Sequence, residues 1–346
     1  MSEGLASGAA ELLADLAQGQ EIDRQARGQN ETLNIPRPEA RGQNETLNIP
    51  RPEARGLNET PKTPWPAQLA LTVEPGPRGA ILGKLERQGP LMVSRPFHPT
   101  GDTLELAILH PPGGLVEGDS LHLSVEAKAG AQVFLTTPAA QKFYRAVRAW
   151  QTQTVTLRAQ AATLEWLPQE AIVFPGARAT VRLEADIEPG GRFLGWDLVA
   201  LGAGAIFDQG VFNQELAIRR AGRLLYWERR LLTAPACLRW SRSPLGLAGQ
   251  GVWGTLWALG RSDEETDLLE KAAASLRSWP DSDALTDSGE LNDSGELIGV
   301  TVRQGLLLAR YLGPSTERAR LFLEKAWAEI RGRWGAELFR PRIWST

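Results

Sequence analysis

Apolar and polar positions alternate with a period of two through a long middle tract of the chain. The runs are DTLELAIL (102–109), DSLHLSVEA (119–127), AQVFLTT (131–137), QTVTLRA (153–159), ATLEWL (162–167), ATVRLEADI (179–187), RFLGWDLVAL (192–201), FNQELAIRR (212–220) and RLLYWERRLL (223–232). Period two marks strands with one buried face. Turns written EGD, KAG, PGA, PGG and RAG separate them, and further strands fall at 69–74, 80–87 and 91–97. No long helical pattern intervenes, so the spacing predicts a mainly β fold: an elongated body of more than a dozen mostly antiparallel strands. After residue 260 the period changes. EETDLLEKAAASLRSW (264–279) and STERARLFLEKAWAEIRGRW (315–334) read as helices, the second with Ser315 as its N-cap and Phe322, Leu323, Ala326, Trp327, Ile330 and Trp334 on one stripe. GLLLARYL (305–312) fits either class. A few C-terminal helices, within about 260–346, are expected to pack on the end of the β body.

Ahead of the strands the pattern is of another kind. ARGQNETLNIPRPE at 26–39 recurs at 40–53, and ARGLNET opens a divergent copy at 54. Repeats so short and so rich in Pro, Asn, Arg and Glu bury almost nothing, so residues 1–66 read as a disordered extension to a single domain at 67–346. A peptide array that holds a partner is the alternative. Asn30, Asn44 and Asn58 each open an Asn-Glu-Thr triplet, the glycosylation acceptor pattern, but the N-terminus lacks a secretory leader and the match reads as coincidence. A second duplication, DSGELN (287–292) then DSGELI (293–298), reads as a replicated acidic surface loop.

Composition narrows this picture modestly. With 38 Lys and Arg against 41 Asp and Glu the formal net charge is −3, which gives no cause to expect a nucleic-acid or anionic-membrane partner. The lone cysteine, Cys237, excludes an intramolecular disulfide and a Cys-based zinc site, and fits a reducing, cytoplasmic setting. No run of about 18 apolar residues occurs, so no membrane span is expected.

The candidate chemistry is thin. GQGVWG (249–254) satisfies the dinucleotide-binding glycine pattern, but RSPLGLA precedes it where a buried strand belongs, and a tight loop is the better reading. GAILGKL (79–85) lacks both the first glycine and the Ser or Thr of a phosphate loop. His98, His110 and His122 are evenly spaced yet form no metal-binding pair, and read as structural or solvent-facing. Asp119, Glu165, Glu170, Asp186, Glu188, Asp197 and Asp208 include enough carboxylates to flank a glycosidic bond, although period two assigns most of them to a solvent face. No nucleophile with a matching base is signalled. Most of the twelve tryptophans should be core, with some that are interleaved with Arg, as Trp227 is in YWERR (226–230), free to anchor an interface. LTTPAAQKFYR (135–145) crowds basic and aromatic side chains behind a proline. It reads either as a strand end and turn with Phe143 or Tyr144 buried, or as a docking or conduit-lining segment in which Lys142, Tyr144 and Arg145 meet a partner or a tunnel wall.

Longer strings say more. HPPGGLVEGDSLHLSVEAKAGAQVFLTTPAAQKFYRA (110–146), LEWLPQEAIVFPGARA (164–179), GWDLVALG (195–202), SPLGLAG (243–249) and the terminal PRIWST (341–346) together resemble the UreD family of urease accessory proteins, called UreH in some organisms. The resemblance runs from about residue 68 to the C-terminus. It implies an elongated β-rich fold without catalytic activity of its own. It further implies binding to apo-urease and the accessory protein UreF, and through UreF to the GTPase UreG, so that nickel reaches the urease active site by an internal tunnel. On that basis nickel passes transiently and nothing is tightly bound, as oxygen ligands would allow, and Asp119, Glu170 and Asp197 become candidates for lining the route. The N-terminal repeats and the DSGEL duplication are not part of the resemblance. A β-rich carbohydrate-active hydrolase using two carboxylates is the competing expectation.

Overall fold

The computed structural model describes residues 66–202, 207–233, 241–278 and 295–345. The 14-residue repeats, Cys237 and the first DSGEL copy lie outside the described residues. So does the 1–66 extension, except Pro66, which already opens the first strand.

Eighteen strands and two helices make up these residues, in the order β1 (Pro66–Gly76), β2 (Gly79–Gln88), β3 (Met92–Val93), β4 (Thr103–Leu109), β5 (Gly114–Leu115), β6 (Ser120–Ala127), β7 (Gln132–Thr136), β8 (Gln141–Phe143), β9 (Gln151–Ala159), β10 (Thr163–Trp166), β11 (Ala171–Val173), β12 (Arg178–Ile187), β13 (Arg192–Leu201), β14 (Val211–Arg220), β15 (Arg223–Thr233), β16 (Val252–Leu259), α1 (Asp263–Arg277), β17 (Leu297–Arg303), β18 (Leu306–Gly313) and α2 (Thr316–Arg333). Among the described residues no helix is long and apolar enough to cross a membrane.

The mainly β class holds, but the expected antiparallel pairing does not. Ten strand pairings are parallel and six antiparallel. The reason lies in the turns. KAG, the Ala-rich corner after Ala159 and EPGG do not fold a strand back on its neighbour. Each carries the chain from one sheet to the other, so the path coils like a solenoid and each new rung lies parallel to the last. The first sheet is ordered β15-β14-β12-β9-β6-β1-β2, the second β17-β18-β16-β13-β10-β7-β4-β3, and the short strands β5, β8 and β11 continue the second sheet along the narrow side of the coil, β11 pairing with the end of β13. Gly130, Ala161 and Gly190 occupy equivalent corner positions with φ of +82°, +46° and +79°. There the left-handed backbone swings the chain round. Successive corners bond to one another, Gly130 N–H donating to the Ala161 carbonyl at 3.1 Å.

Register makes the core. Leu69, Leu123, Val155, Leu183 and Leu216 stand side by side across the first sheet. They face Leu106, Leu135, Trp166, Trp257 and Leu308 of the second, in one buried cluster. A separate cluster fills the outer face of the second sheet, where Phe134, Leu194, Trp196 and Leu256 meet Phe322, Leu323, Ala326 and Trp327 of α2 and Leu269 of α1. The helices thus cover a sheet face and not the end of the body, which corrects the sequence expectation. Ser315 accepts from an N–H group of the first turn of α2, as the sequence reads, and Ser262, not read as a cap from the sequence, does the same for α1.

Because the second sheet is covered on both sides, β16 is buried at every position and shows no alternation. It escaped the period-two reading for that reason. GLLLARYL is β18. The second DSGEL copy is not wholly a surface loop: Glu296 is buried, accepts from the Tyr311 hydroxyl at 2.9 Å and pairs with Arg318 at 2.5 Å, leading directly into β17.

Candidate functional site: an interior cavity and the surface beside it

Between the two sheets the apolar packing is incomplete, leaving a cavity of about 130 Å³. Its walls come from β9, β12 and β14 on one side, β10, β13 and β16 on the other, and the 137–141 loop on the third. Two inward positions of the first sheet are glutamines where the pattern asks for apolar residues, Gln153 and Gln214, and Asp197 faces them from β13.

Asp197 is the one carboxylate among the described residues held in the core between the sheets. Its Oδ2 accepts from Gln214 Nε2 and its Oδ1 from the Thr255 amide at 3.1 Å. Gln214 is turned that way by Trp253, whose Nε1–H, a donor only, occupies Gln214 Oε1 at 3.1 Å. Arg230 stands 4.0 Å from Asp197 and 2.8 Å from Glu228. Glu228 in turn accepts from the Tyr226 hydroxyl at 2.6 Å and lies 3.7 Å from Arg310. Burial pushes the Asp197 carboxyl up to about 7; Arg230 opposes the rise and Glu228 adds to it. The side chain keeps 21% of its surface, and we read that surface as facing the cavity and not bulk water, which reconciles it with so large a shift.

At the other side of the cavity stands His110, its pKa lowered by burial and its Nδ1 without a partner. Gln153 Oε1 is likewise buried and unpartnered. The remaining histidines behave as expected: His98 Nε2 lies 2.7 Å from the Ala80 carbonyl, and His122 is exposed on β6.

The other sequence candidates fall elsewhere. Asp119 is half-buried beside His110, and its Oδ2 accepts from the Val116 amide at 2.9 Å, closing the EGD turn. Glu170 is half-buried in the loop before β11, and its carbonyl accepts from the Gln141 amide. Neither is among the cavity-lining residues, so the structure does not bring the three carboxylates together. LTTPAAQKFYR divides in two. Thr137, Pro138, Ala139, Ala140 and Gln141 line the cavity, Phe143 is buried, and Lys142, Tyr144 and Arg145 lie outside the cavity wall. The two hydroxyls hold the frame: Thr136 donates to the Leu167 carbonyl at 2.6 Å and accepts from Trp344 Nε1 at 2.9 Å, while Thr137 accepts from the Gln169 amide at 2.9 Å. Sequence reasoning named Asp197, set His110 aside as structural or solvent-facing, and missed Gln214 and Gln153. The signal for the glutamines was there, two polar residues at inward positions of otherwise apolar strands.

Among the described residues, neither Glu165 nor Glu228 forms a hydrolytic pair with Asp197. Glu165 is not on a solvent face; it is buried beneath α2, ion-paired with Arg331 and accepting from Trp327 Nε1 at 2.6 Å. It faces the helices while Asp197 faces the first sheet, on opposite sides of one sheet. Glu228 is nearer to Asp197, but Arg230 lies between the two. Among the described residues no group of three His, Cys, Asp or Glu side chains is placed to hold a metal ion. GQGVWG ends in a strand where a phosphate site needs a helix.

Comparison with known proteins adds to this geometry. A family model described as "UreD urease accessory protein" matches residues 66–345. The chain is 40% identical over 297 residues to the urease accessory protein UreD of Alkalilimnicola ehrlichii, covering 81% of this chain and 95% of that relative. It is 36% identical over 290 residues to the protein of that name from Cupriavidus pinatubonensis, covering 81% and 94%. To that of Methylobacillus flagellatus it is 35% identical over 275 residues, covering 78% and 90%.

Proposed function

The chain belongs to the UreD family of urease accessory proteins, and from that premise we propose that it is a cytoplasmic scaffold which binds apo-urease and UreF, and through UreF the GTPase UreG, so that nickel is passed into the urease active site. As a urease accessory protein it acts in urease maturation and is not itself an enzyme. The observation that carries the finer reading is the interior cavity with Asp197 at its wall. A conduit must hold its cargo weakly. The Asp197 carboxylate and the unpartnered Gln153 oxygen are donors that a divalent cation can leave, whereas a cluster of imidazoles or thiolates would retain it. With a pKa of about 7, Asp197 exchanges its proton for a passing cation near neutral pH. Asp119 and Glu170 serve the route only at its approaches, and Lys142, Tyr144 and Arg145 face a partner.

The test is nickel content. Urease matured by co-expression with Asp197→Ala is expected to carry less nickel than with the wild-type chain, measured by metal analysis of the purified urease. Asp119→Ala and Glu170→Ala should have smaller effects. Full nickel loading in all three variants would sink the conduit reading.

A further inference from the structure

On the narrow side of the coil, aromatic and cationic side chains are exposed together. Tyr144 is 40% exposed, Trp150 41%, Val116 47% and Val147 62%. Tyr144, Arg145 and Trp150 are held by packing contacts. The Tyr144 ring stacks on Phe174 with centroids 5.3 Å apart and 12° between planes. Its other flank rests on Gly114, where an added Cβ would come within 2.5 Å of the ring. The Arg145 stem lies across Gly176 in the same manner, 2.8 Å from where a Cβ would stand. Arg178 sits 5.5 Å from the Trp150 ring centroid and donates to the Val147 carbonyl at 3.1 Å.

The nearby carboxylates are engaged by backbone amides, Glu117 within this face and Asp119 at its edge. Glu117 accepts from the amides of Arg148 and Ala149, which with Arg148 beside it holds its pKa low, and Asp119 accepts from the Val116 amide. Lys142 and Arg145 make no ion pair among the described residues. Lys142 and Arg145 thus stand without a carboxylate partner beside exposed aromatic and aliphatic groups, on a chain whose net charge is −3. Tyr, Trp and Arg are the residue types that dominate binding energy at protein interfaces, and side chains already fixed in place lose little freedom on binding.

We propose that this face, centred on Tyr144, Arg145, Val147 and Trp150, docks an acidic segment of another protein of the urease-maturation assembly, one bearing Asp or Glu on either side of an apolar side chain. The apolar side chain lies between Tyr144 and Trp150, and the carboxylates meet Lys142, Arg145 and Arg178. The inference rests on the accessory-protein reading and adds the chemistry of the partner segment.

The experiment uses the full chain co-expressed with the urease structural and accessory proteins. A photo-crosslinking phenylalanine analogue at Val147 is expected to form an adduct with one of those proteins, mapped by mass spectrometry to an Asp- or Glu-containing tract. Adducts with RNA, with this chain's own acidic 281–296 segment, or with none of the co-expressed proteins would overturn the proposal. The double variant Lys142→Glu, Arg145→Glu should melt as the wild type does yet lose about tenfold of the co-purifying partner. Lys142→Arg should retain it. Undiminished co-purification and urease activation by the double variant would also overturn it. Urease that matures equally well with this gene deleted would instead overturn the accessory reading, so the two failures are distinguishable.

Discussion

Asp197 and Glu165 are both acidic residues of the same sheet, and their surroundings set them opposite tasks. Asp197 faces a cavity with Arg230 at 4.0 Å and binds its proton more tightly folded than unfolded. A raised carboxyl pKa stabilises the fold below the unfolded value of 3.8, and that contribution is lost as pH climbs to about 7. Stability should therefore decline across that interval, by at most about 1.4 kcal/mol per pH unit. Asp197→Asn should flatten the decline in a series of urea melts, and an unaltered slope would show that Asp197 does not titrate there. Glu165 by contrast is fully paired. Arg331 and Trp327 Nε1–H both reach it beneath α2. Glu165→Ala leaves the Arg331 guanidinium buried with the Glu337 carbonyl as its remaining hydrogen-bond acceptor beside the Trp327 and Phe339 rings, and breaking such a pair should cost about 3–5 kcal/mol in unfolding free energy.

At the scale of elements the corners of the coil decide the fold, and they also divide what was readable from what was not. Alternation located most strands of the first sheet, because one face of that sheet meets water. Runs such as ATVRLEADI carry the two-fold pattern to their ends. β16, covered on both sides, gave no alternation to read. Strand direction was not legible either, since KAG and EPGG look alike whether they close a hairpin or turn a coil. The corners make a sharp prediction of their own. Ala161 holds at φ +46° a position that Gly130 and Gly190 fill in adjacent rungs. Ala161→Gly should thus stabilise the protein, by up to about 1 kcal/mol as strain is relieved. Gly190→Val should destabilise it by more. Thermal melts of the two variants should move in opposite directions.

At the scale of the whole molecule the last residues close over the helix-covered face. Trp344 packs against Trp196, Phe134 and Trp327 with centroids 5.5–5.7 Å apart, lies under the Arg320 guanidinium at 4.3 Å and donates to Thr136. PRIWST and LTTP, far apart in sequence, are thus halves of one contact. Trp344→Ala should cost about 2 kcal/mol or more, read as a lowered denaturant midpoint. Across the cavity from that sheet, Leu183→Trp on β12 would fill the cavity at an overpacking cost of about 1–3 kcal/mol. If the cavity is a conduit, urease matured with that variant should lose nickel further than the stability loss explains, as judged by urease nickel content against the amount of soluble accessory protein.

The sequence by itself determined the β class, the two helices with the Ser315 cap of the second, and, through five long strings, the family. These are local properties: the period of burial along a strand, the hydrogen bond of a cap, the identity of consecutive residues. Only the tertiary structure decided that the strands run parallel, that the helices cover a sheet face, and that Asp197, Gln214 and Gln153 share a cavity while Asp119 and Glu170 stand outside its wall. Those outcomes depend on which rung stacks on which and which face of a strand another layer covers. Both are set by contacts between residues distant in the chain.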